Sequence, residues 1–293
     1  MGETMTTLTD TAAPWLAPAV RSRRRLEQHV AAESTNVIDE IMSTVASVGS
    51  LTWSGGLSWA MAAITPDGPR PLTVITDPAL VRGFYSAQRD RLDLGGFTPP
   101  VVAQSSDAWS LMEVEAWFTS KPDGRPFEGA SVLLGLTDGD AGISGEISLN
   151  AFPGYDLGPS WTMRRGVELH AAYLAALAAG DVEGILALMS DDVQGAVRDF
   201  TVDAGHPFRA IRGAEEMRRH YESFFARFAV RGITVVSELV RSWWLFDELL
   251  FEVDVIDGPA AGTHAQLRTF EVLPLWQDRI AMRLGQGQIG QVR

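Results

Sequence analysis

The chain has 293 residues, 46% of them apolar and 21% charged, with a mean hydropathy of +0.03 and a formal charge of −13. That length suits two domains of ordinary size, each with its own core, and the acidic balance excludes a nucleic-acid binder because nothing neutralises phosphate in bulk. Cysteine is absent, which excludes disulfides, thiolate nucleophiles and Cys-ligated zinc.

In chain order, the opening MGETMTTLTDTAAPWLAPAV carries no basic region followed by an apolar core, and it reads as a frayed leader, not a secretory signal. Gly2 and Thr6 fit the myristoylation pattern only loosely. Gly, Asp or Arg interrupts every apolar run before the ~20 residues of a membrane span, so a cytoplasmic protein that does not engage a membrane is expected. The basic cluster Arg21–Arg25 is too short to change the class of partner and reads as the solvated start of a helix. EQHVAAESTNVIDEIMSTVA follows, with Ser34 as a helix cap, then SLTWSGG, then DPALVRGFYSAQRDRL with Tyr85, then WSLMEVEAWF with Trp109 and Glu113. Ala151–Ser160, AFPGYDLGPS, reads as a linker.

The second half is patterned more sharply. Leu169, Tyr173, Leu174 and Leu177 recur at helical spacing over Glu168–Ala178. Gly180 ends that helix and Asp181 caps the next, whose apolar face is Val182, Ile185, Leu188 and Met189. A loop follows, containing a short strand candidate at Gly195–Phe200. Ala214–Phe228 then reads as a helix, with Met217, Tyr221, Phe224, Phe225 and Phe228 on one side. ITVVSELV, LLFEVDVI, AQLRTFEVL and RIAMRLGQ read as strands separated by turns such as Asp257–Gly258. Helices first and strands afterwards make an α+β fold.

The first half repeats this order at an interval of about 135 to 147 residues, as a duplicated domain would. STNVIDEIMS matches DVEGILALMS, and Tyr85, Trp109 and Glu113 fall on Tyr221, Trp244 and Glu248. The expectation is two tandem cone-shaped domains, 18–152 and 161–293, each with three helices packed on a curved antiparallel sheet, together forming a pseudo-dimer. The assembly is then a monomeric pseudo-dimer or a homodimer.

YLAALAAGDVEGILALMSDD resembles the opening of ketosteroid isomerase and of the SnoaL-like polyketide cyclases, in the nuclear-transport-factor-2-like superfamily. The resemblance covers nearly all of 165–290; in 20–150 it rests mainly on internal repetition. It implies a bent sheet wrapped around helices, with a deep apolar pocket at the open end. Isomerases, dehydratases, epoxide hydrolases, aldol-type cyclases and pure binding proteins share this fold, so the residues must decide the chemistry.

Asp199, in AVRDF, follows Asp192 with six residues between, two more than the family pattern. The resemblance gives it the role of an acid moving protons at the pocket mouth, and Phe200 beside it suits a raised pKa and substrate contact. Tyr173 stands where the family places a tyrosine that donates a hydrogen bond into the pocket. The second donor position aligns with Leu267 or Arg268, neither a carboxylic acid; Arg268 could stabilise an oxyanion by its charge. His206, in DAGHPF, could pair with Asp199 as base and orienter.

Glu248 matches Glu113 in the first half. Strand alternation places it opposite Leu249, Phe251, Val253 and Val255, which favours an interface or turn carboxylate over a catalytic one. Tyr221 and Trp244 complete the substrate-contact candidates, in keeping with an aromatic content that suits a flat hydrophobic ligand. His29, His170 and His220 read as helix-surface positions. Without HxxxH or HxH spacing no metal site is expected, and no cofactor is expected. The first half offers about Leu26 where the second has Tyr173, and no acid where it has Asp199.

The reading is therefore a cofactor-independent acid/base enzyme of the isomerase, dehydratase, cyclase or epoxide hydrolase type. Its substrate would be a bulky hydrophobic molecule such as a polyketide, steroid or terpenoid. A non-catalytic hydrophobic carrier is the alternative, and a purely structural module needs only the fold.

Overall fold

The computed structural model describes residues 17–46, 58–137, 142–152, 163–198 and 209–292. Asp199, Phe200 and His206 lie outside the described residues, as does SLTWSGG. Six helices and fourteen strands are described. In the first half these are α1 (Ala17–Ser34), α2 (Ile38–Ser43), β1 (Ser58–Thr65), β2 (Gly68–Pro69), β3 (Thr73–Ile75), α3 (Pro78–Arg91), β4 (Leu92–Phe97), β5 (Val102–Ser105), β6 (Trp109–Ser120), β7 (Pro126–Thr137) and β8 (Ile143–Ala151). In the second half they are α4 (Met163–Ala179), α5 (Val182–Ala187), β9 (Met189–Arg198), β10 (Arg209–Arg212), α6 (Gly213–Arg227), β11 (Phe228–Val240), β12 (Trp244–Val255), β13 (His264–Trp276) and β14 (Arg279–Val292).

The helical corner forms as its residues demand. Gly180 takes φ +65°, a left-handed conformation that glycine adopts without a Cβ penalty. Its N–H and that of Asp181 bond back to Leu177 and Ala176 O at 3.2 and 2.9 Å, closing α4 with a Schellman motif. The Asp181 carboxylate then accepts the Gly184 N–H at 2.9 Å and caps α5. In the first half Asn36 takes the left-handed position, φ 58°, and its side chain clips the backbone of Leu94 at 2.9 and 3.1 Å. Ser34 is not a cap there: its hydroxyl bonds back to Val30 O within α1. The α2 N-cap is Val37, which has no side-chain bond to offer. The correspondence between the halves therefore slides by three residues, and His29, not Leu26, occupies the place of Tyr173.

β9 begins at Met189, earlier than the expected strand at Gly195, and Met189 is core in the strand instead of the end of a helix face. The second sheet runs β10-β9-β14-β13-β12-β11. It is mixed, which corrects the expected antiparallel sheet. Met189 and Ile280 start side by side and β9 and β14 run the same way, a pairing that needs the long connection supplied by β10, α6 and β11–β13. The inner face packs Leu245, Leu249, Phe251, Val253 and Leu267 against Leu169, Tyr173 and Leu177 of α4 and Met217, Tyr221 and Phe224 of α6. The other sheet runs β2-β1-β8-β7-β6-β4, with β3 on β1 and β5 on β6.

Internal contacts divide the chain into two compact units, 1–57 with 78–146 and 58–77 with 147–293. Gln194 helps to place 58–77 in the second: its amide accepts from Leu72 N at 2.7 Å and donates to Arg70 O at 3.2 Å. Gly68 takes φ +119°, and a Cβ there would stand 3.7 Å from the Trp276 ring. Among the described residues no helix is long and apolar enough to cross a membrane.

The two caps generate a paired prediction. Asp181→Ala lowers stability by about 1 kcal/mol, and Val37→Asp, which supplies the missing cap at an exposed position, raises it by a similar amount. Urea unfolding of both variants checks this; equal and opposite midpoint shifts are expected.

Candidate active site

The apolar stripe of α4 carries two polar residues, His170 and Tyr173, both fully buried, and the sheet supplies their partners. Alternation along β12 puts Asp247 on the inner face between Leu245 and Leu249. Alternation along β13 likewise puts Glu271 between Thr269 and Leu273. Asp247 and Glu271 are direct cross-strand partners, so two carboxyl groups meet inside an apolar core.

Each is bound. His170 bridges Asp247 Oδ2, 2.9 Å from Nε2, and Glu238 Oε1, 2.7 Å from Nδ1. Tyr173 donates to Glu271 Oε1 at 2.7 Å, and its hydroxyl meets that of Tyr221 at 3.0 Å. Arg283 Nε, from β14, donates to Glu271 Oε2 at 2.5 Å, and its guanidinium lies 5.4 Å from the Tyr221 ring centroid. Gly285 makes room for this reach, since a Cβ there would stand 2.6 Å from Glu271 Cβ.

His220, on α6, lies between two guanidinium groups: Nε2 is 2.7 Å from Arg283 Nη1 and Nδ1 is 2.8 Å from Arg209 Nη2. Both guanidinium groups are donors, and only an unprotonated ring nitrogen can accept from them. All three helix histidines are buried, His29 and His170 at 0% and His220 at 1% exposure, not at the surface positions expected. Helical spacing had left them beside the apolar stripe, and their buried partners let them join it.

The electrostatics follow from burial. Desolvation, then the charge of Glu271, pushes the Asp247 carboxyl up to about 7, against the lowering effect of its His170 bond. Burial lowers the His170 pKa, but the bonds and charges of Asp247 and Glu238 outweigh that and leave it raised. Burial, then the Glu271 charge, holds Tyr173 well above the ordinary phenol range.

A pocket of about 320 Å³, counting its open mouth, adjoins this group. Leu177, Phe224 and Phe251 form its apolar wall; Tyr221, His220, Thr269, Glu271 and Arg283 form its polar end. The Thr269 hydroxyl is buried there with no protein partner, so it is available to a ligand.

Of the residues singled out in the sequence, Tyr173 and Tyr221 come together here. Glu248 lies on the opposite face of β12, bound by Arg268 Nε at 2.5 Å. Arg268 and Trp244 do not line the pocket. Asp247, Glu271 and Arg283 were missed, although a signal existed: each is a charge set among apolar residues on the inner side of a strand's alternation.

The first unit holds its own buried polar group. His29, Tyr85 and Glu146 occupy the places in the element order of Tyr173, Tyr221 and Arg283, and His29 Nε2 meets Tyr85 OH at 3.1 Å as Tyr173 meets Tyr221. This unit also buries two acids, Glu33 and Glu146, at 7% and 1% exposure; the place matched to Asp199 lies outside the described residues.

The pair predicts its own titration. In Glu271→Gln the Asp247 pKa falls below its wild-type value of about 7, because the neighbouring charge is gone while burial remains. Carboxyl-carbon NMR titration of both proteins reads this directly; an unchanged midpoint would mean the two groups do not interact.

Solved structures similar to the chain include a Δ5-3-ketosteroid isomerase from Mycobacterium sp., at 19% identity over 43% of this chain and 98% of that one, with a TM-score of 0.34. An LEH-like epoxide hydrolase from M. tuberculosis is similar at 15% identity over 43% and 84%, with a TM-score of 0.33. A protein of ketosteroid isomerase-like fold from Catenulispora acidiphila is similar at 15% over 40% and 83%, with a TM-score of 0.33. No curated protein sequence matches the chain. Residues 170–282, which carry all of Tyr173, Tyr221, Asp247 and Glu271, match the SnoaL-like domain family.

Proposed function

We propose that the second domain, 161–293, is a cofactor-independent acid/base enzyme acting on a small hydrophobic molecule. The observation that carries this reading is the Asp247–Glu271 pair. With Asp247 at about 7, its carboxyl is about half protonated near neutral pH and can take or give a proton during a reaction. Glu271 lines the pocket and receives the substrate proton. Arg283 opposes the charge that develops on the substrate oxygen, and Tyr221, whose proton bonds the Tyr173 hydroxyl while Tyr173 donates to Glu271, donates to that oxygen once it turns from Tyr173.

A proton acceptor and a hydrogen-bond donor at one end of an apolar pocket suit isomerisation, dehydration, ring closure or epoxide opening. Asp199 and His206 belong to the same proposal as mouth residues, with Phe200 as an apolar contact. Glu248, Arg268 and Trp244 support the sheet. The domain at 18–152 and its pairing with the second as a pseudo-dimer rest on the internal repeat.

Asp247→Asn keeps a hydrogen-bond acceptor for His170 and removes the second carboxyl of the pair, which tunes the proton affinity of Glu271. With a panel of mono- and bicyclic epoxides, unsaturated ketones and hydroxyketones, the variant is expected to bind what wild type converts and to turn it over roughly 10²–10⁴-fold more slowly. Full activity in Asp247→Asn rules out the assignment, and ligands retained unchanged by both proteins select a carrier. The stability sign is also fixed. A carboxyl raised in the folded state favours folding while protonated, and that contribution is lost as pH rises from about 4 to about 7. Asp247→Asn should therefore melt higher than wild type at pH 8 and gain less at pH 5, as calorimetry at both values would show.

A further inference from the structure

The proposed reaction makes no use of the buried group in the first unit. His29 and Glu33 stand one turn apart on α1, Glu146 comes from β8 and Tyr85 from α3. Thr44 Oγ1 donates to Ile41 O at 2.6 Å, which leaves it to accept from His29 Nδ1 at 2.5 Å. The other ring nitrogen faces Glu146 Oε2 at 2.9 Å, a contact that either a proton on Nε2 or a metal ion can bridge. A lone pair and a carboxylate oxygen repel at that distance unless a proton or a cation lies between them. Glu146 Oε1 is buried with no hydrogen-bond partner, on a residue 1% exposed, so the carboxylate has capacity that the protein does not use.

The spacing is that of a coordination shell. His29 Nε2, Glu146 Oε2 and Tyr85 OH are separated by 2.9, 3.1 and 3.1 Å. A tetrahedral ion with bonds of about 2.0 Å has ligands about 3.3 Å apart, so three corners are already in place. Glu33 Oε1, 4.0 Å from Nε2, is the fourth, and one donor atom from each of His29, Glu33 and Glu146 lies within 4.8 Å of the others. An imidazole, two carboxylates and a phenol are a nitrogen–oxygen set that suits zinc or manganese. The Thr44 bond fixes the ring as an outer partner does at metal-bound histidines. Arg89, whose Nη2 donates to Glu33 O at 3.0 Å, is a competing positive charge that moderates the affinity.

We propose that His29, Glu33, Tyr85 and Glu146 form a divalent metal site, for zinc or manganese, joining α1, α3 and β8. No HxxxH or HxH spacing announces it, because the donors come from three elements and only His29-x₃-Glu33 is local.

The test uses the full chain, free of any affinity tag and stripped with a chelator. Calorimetric titration with zinc chloride and manganese chloride should give one ion per chain and a raised melting temperature. Glu33→Gln, at the least buried corner, should weaken binding by roughly tenfold or more, as should Tyr85→Phe, which conserves packing. Glu252→Gln, on an exposed position of β12, should leave it unchanged. Folded wild-type protein that takes up less than one equivalent, or binds the ion as tightly in Glu33→Gln and Tyr85→Phe, overturns the proposal. If one variant fails to fold, the other decides.

Discussion

The second domain is organised by the difficulty of putting two carboxyl groups face to face inside an apolar core. A lone ionised carboxylate there is prohibitive, and two neighbours are worse. The surrounding residues divide the problem. Arg283 and Tyr173 satisfy both oxygens of Glu271, whereas Asp247 keeps one oxygen on His170 and leaves Oδ1 without a partner. Both oxygens of Glu271 are therefore bound, while burial and the neighbouring charge push the Asp247 carboxyl up to about 7. That asymmetry separates a site able to move a proton from a closed structural ion pair. It also ties α4, β12, β13 and β14 into one arrangement, since each contributes a member that the others need.

The same constraint is solved differently in the first unit. Where His170 lies over Asp247 and Glu271, the corresponding positions are Leu26, Met112 and Leu133, which pack together as plain core. Where the second half has Tyr173, Tyr221 and Arg283, the first has His29, Tyr85 and Glu146. The backbone places are kept and the charges exchanged: the strand supplies a carboxylate in one case and a guanidinium in the other. In both, a tyrosine hydroxyl from the third helix closes the group.

Much of the fold was legible because local chemistry fixed it. Gly180 and Asp181 could only end one helix and begin another, and the strand segments after α6 alternate cleanly. The first strand of the second domain was harder to read. Met189 continues the helical spacing of Ile185, and nothing local separates a last helical turn from a strand that starts beside Ile280, far away in sequence. The Ser34 correspondence failed for a related reason: a serine looks like a cap, while the turn needs a left-handed residue, and Asn36 provides it. The histidines were misplaced because burial of an imidazole depends on remote partners, Glu146, Asp247 and Arg283, that no window of sequence contains.

Glu248 and Asp247 show how recurrence should be read when a domain is repeated. Glu113 and Glu248 recur because they do the same thing in each half: each faces away from the inner core on the equivalent strand, and Glu248 is held by Arg268. Asp247 has no acidic counterpart, since Met112 stands in its place and packs against Leu26. Its neighbour across the ladder, Glu271, faces Leu133 in the same comparison. A residue kept in both halves meets a demand of the fold, which both share. A charge that replaces core in one half alone has no such demand behind it, and burying it costs stability. The departure from the repeat, set on the inner face of the strand, is therefore a stronger ground for the proposed acid/base site than the repeat itself.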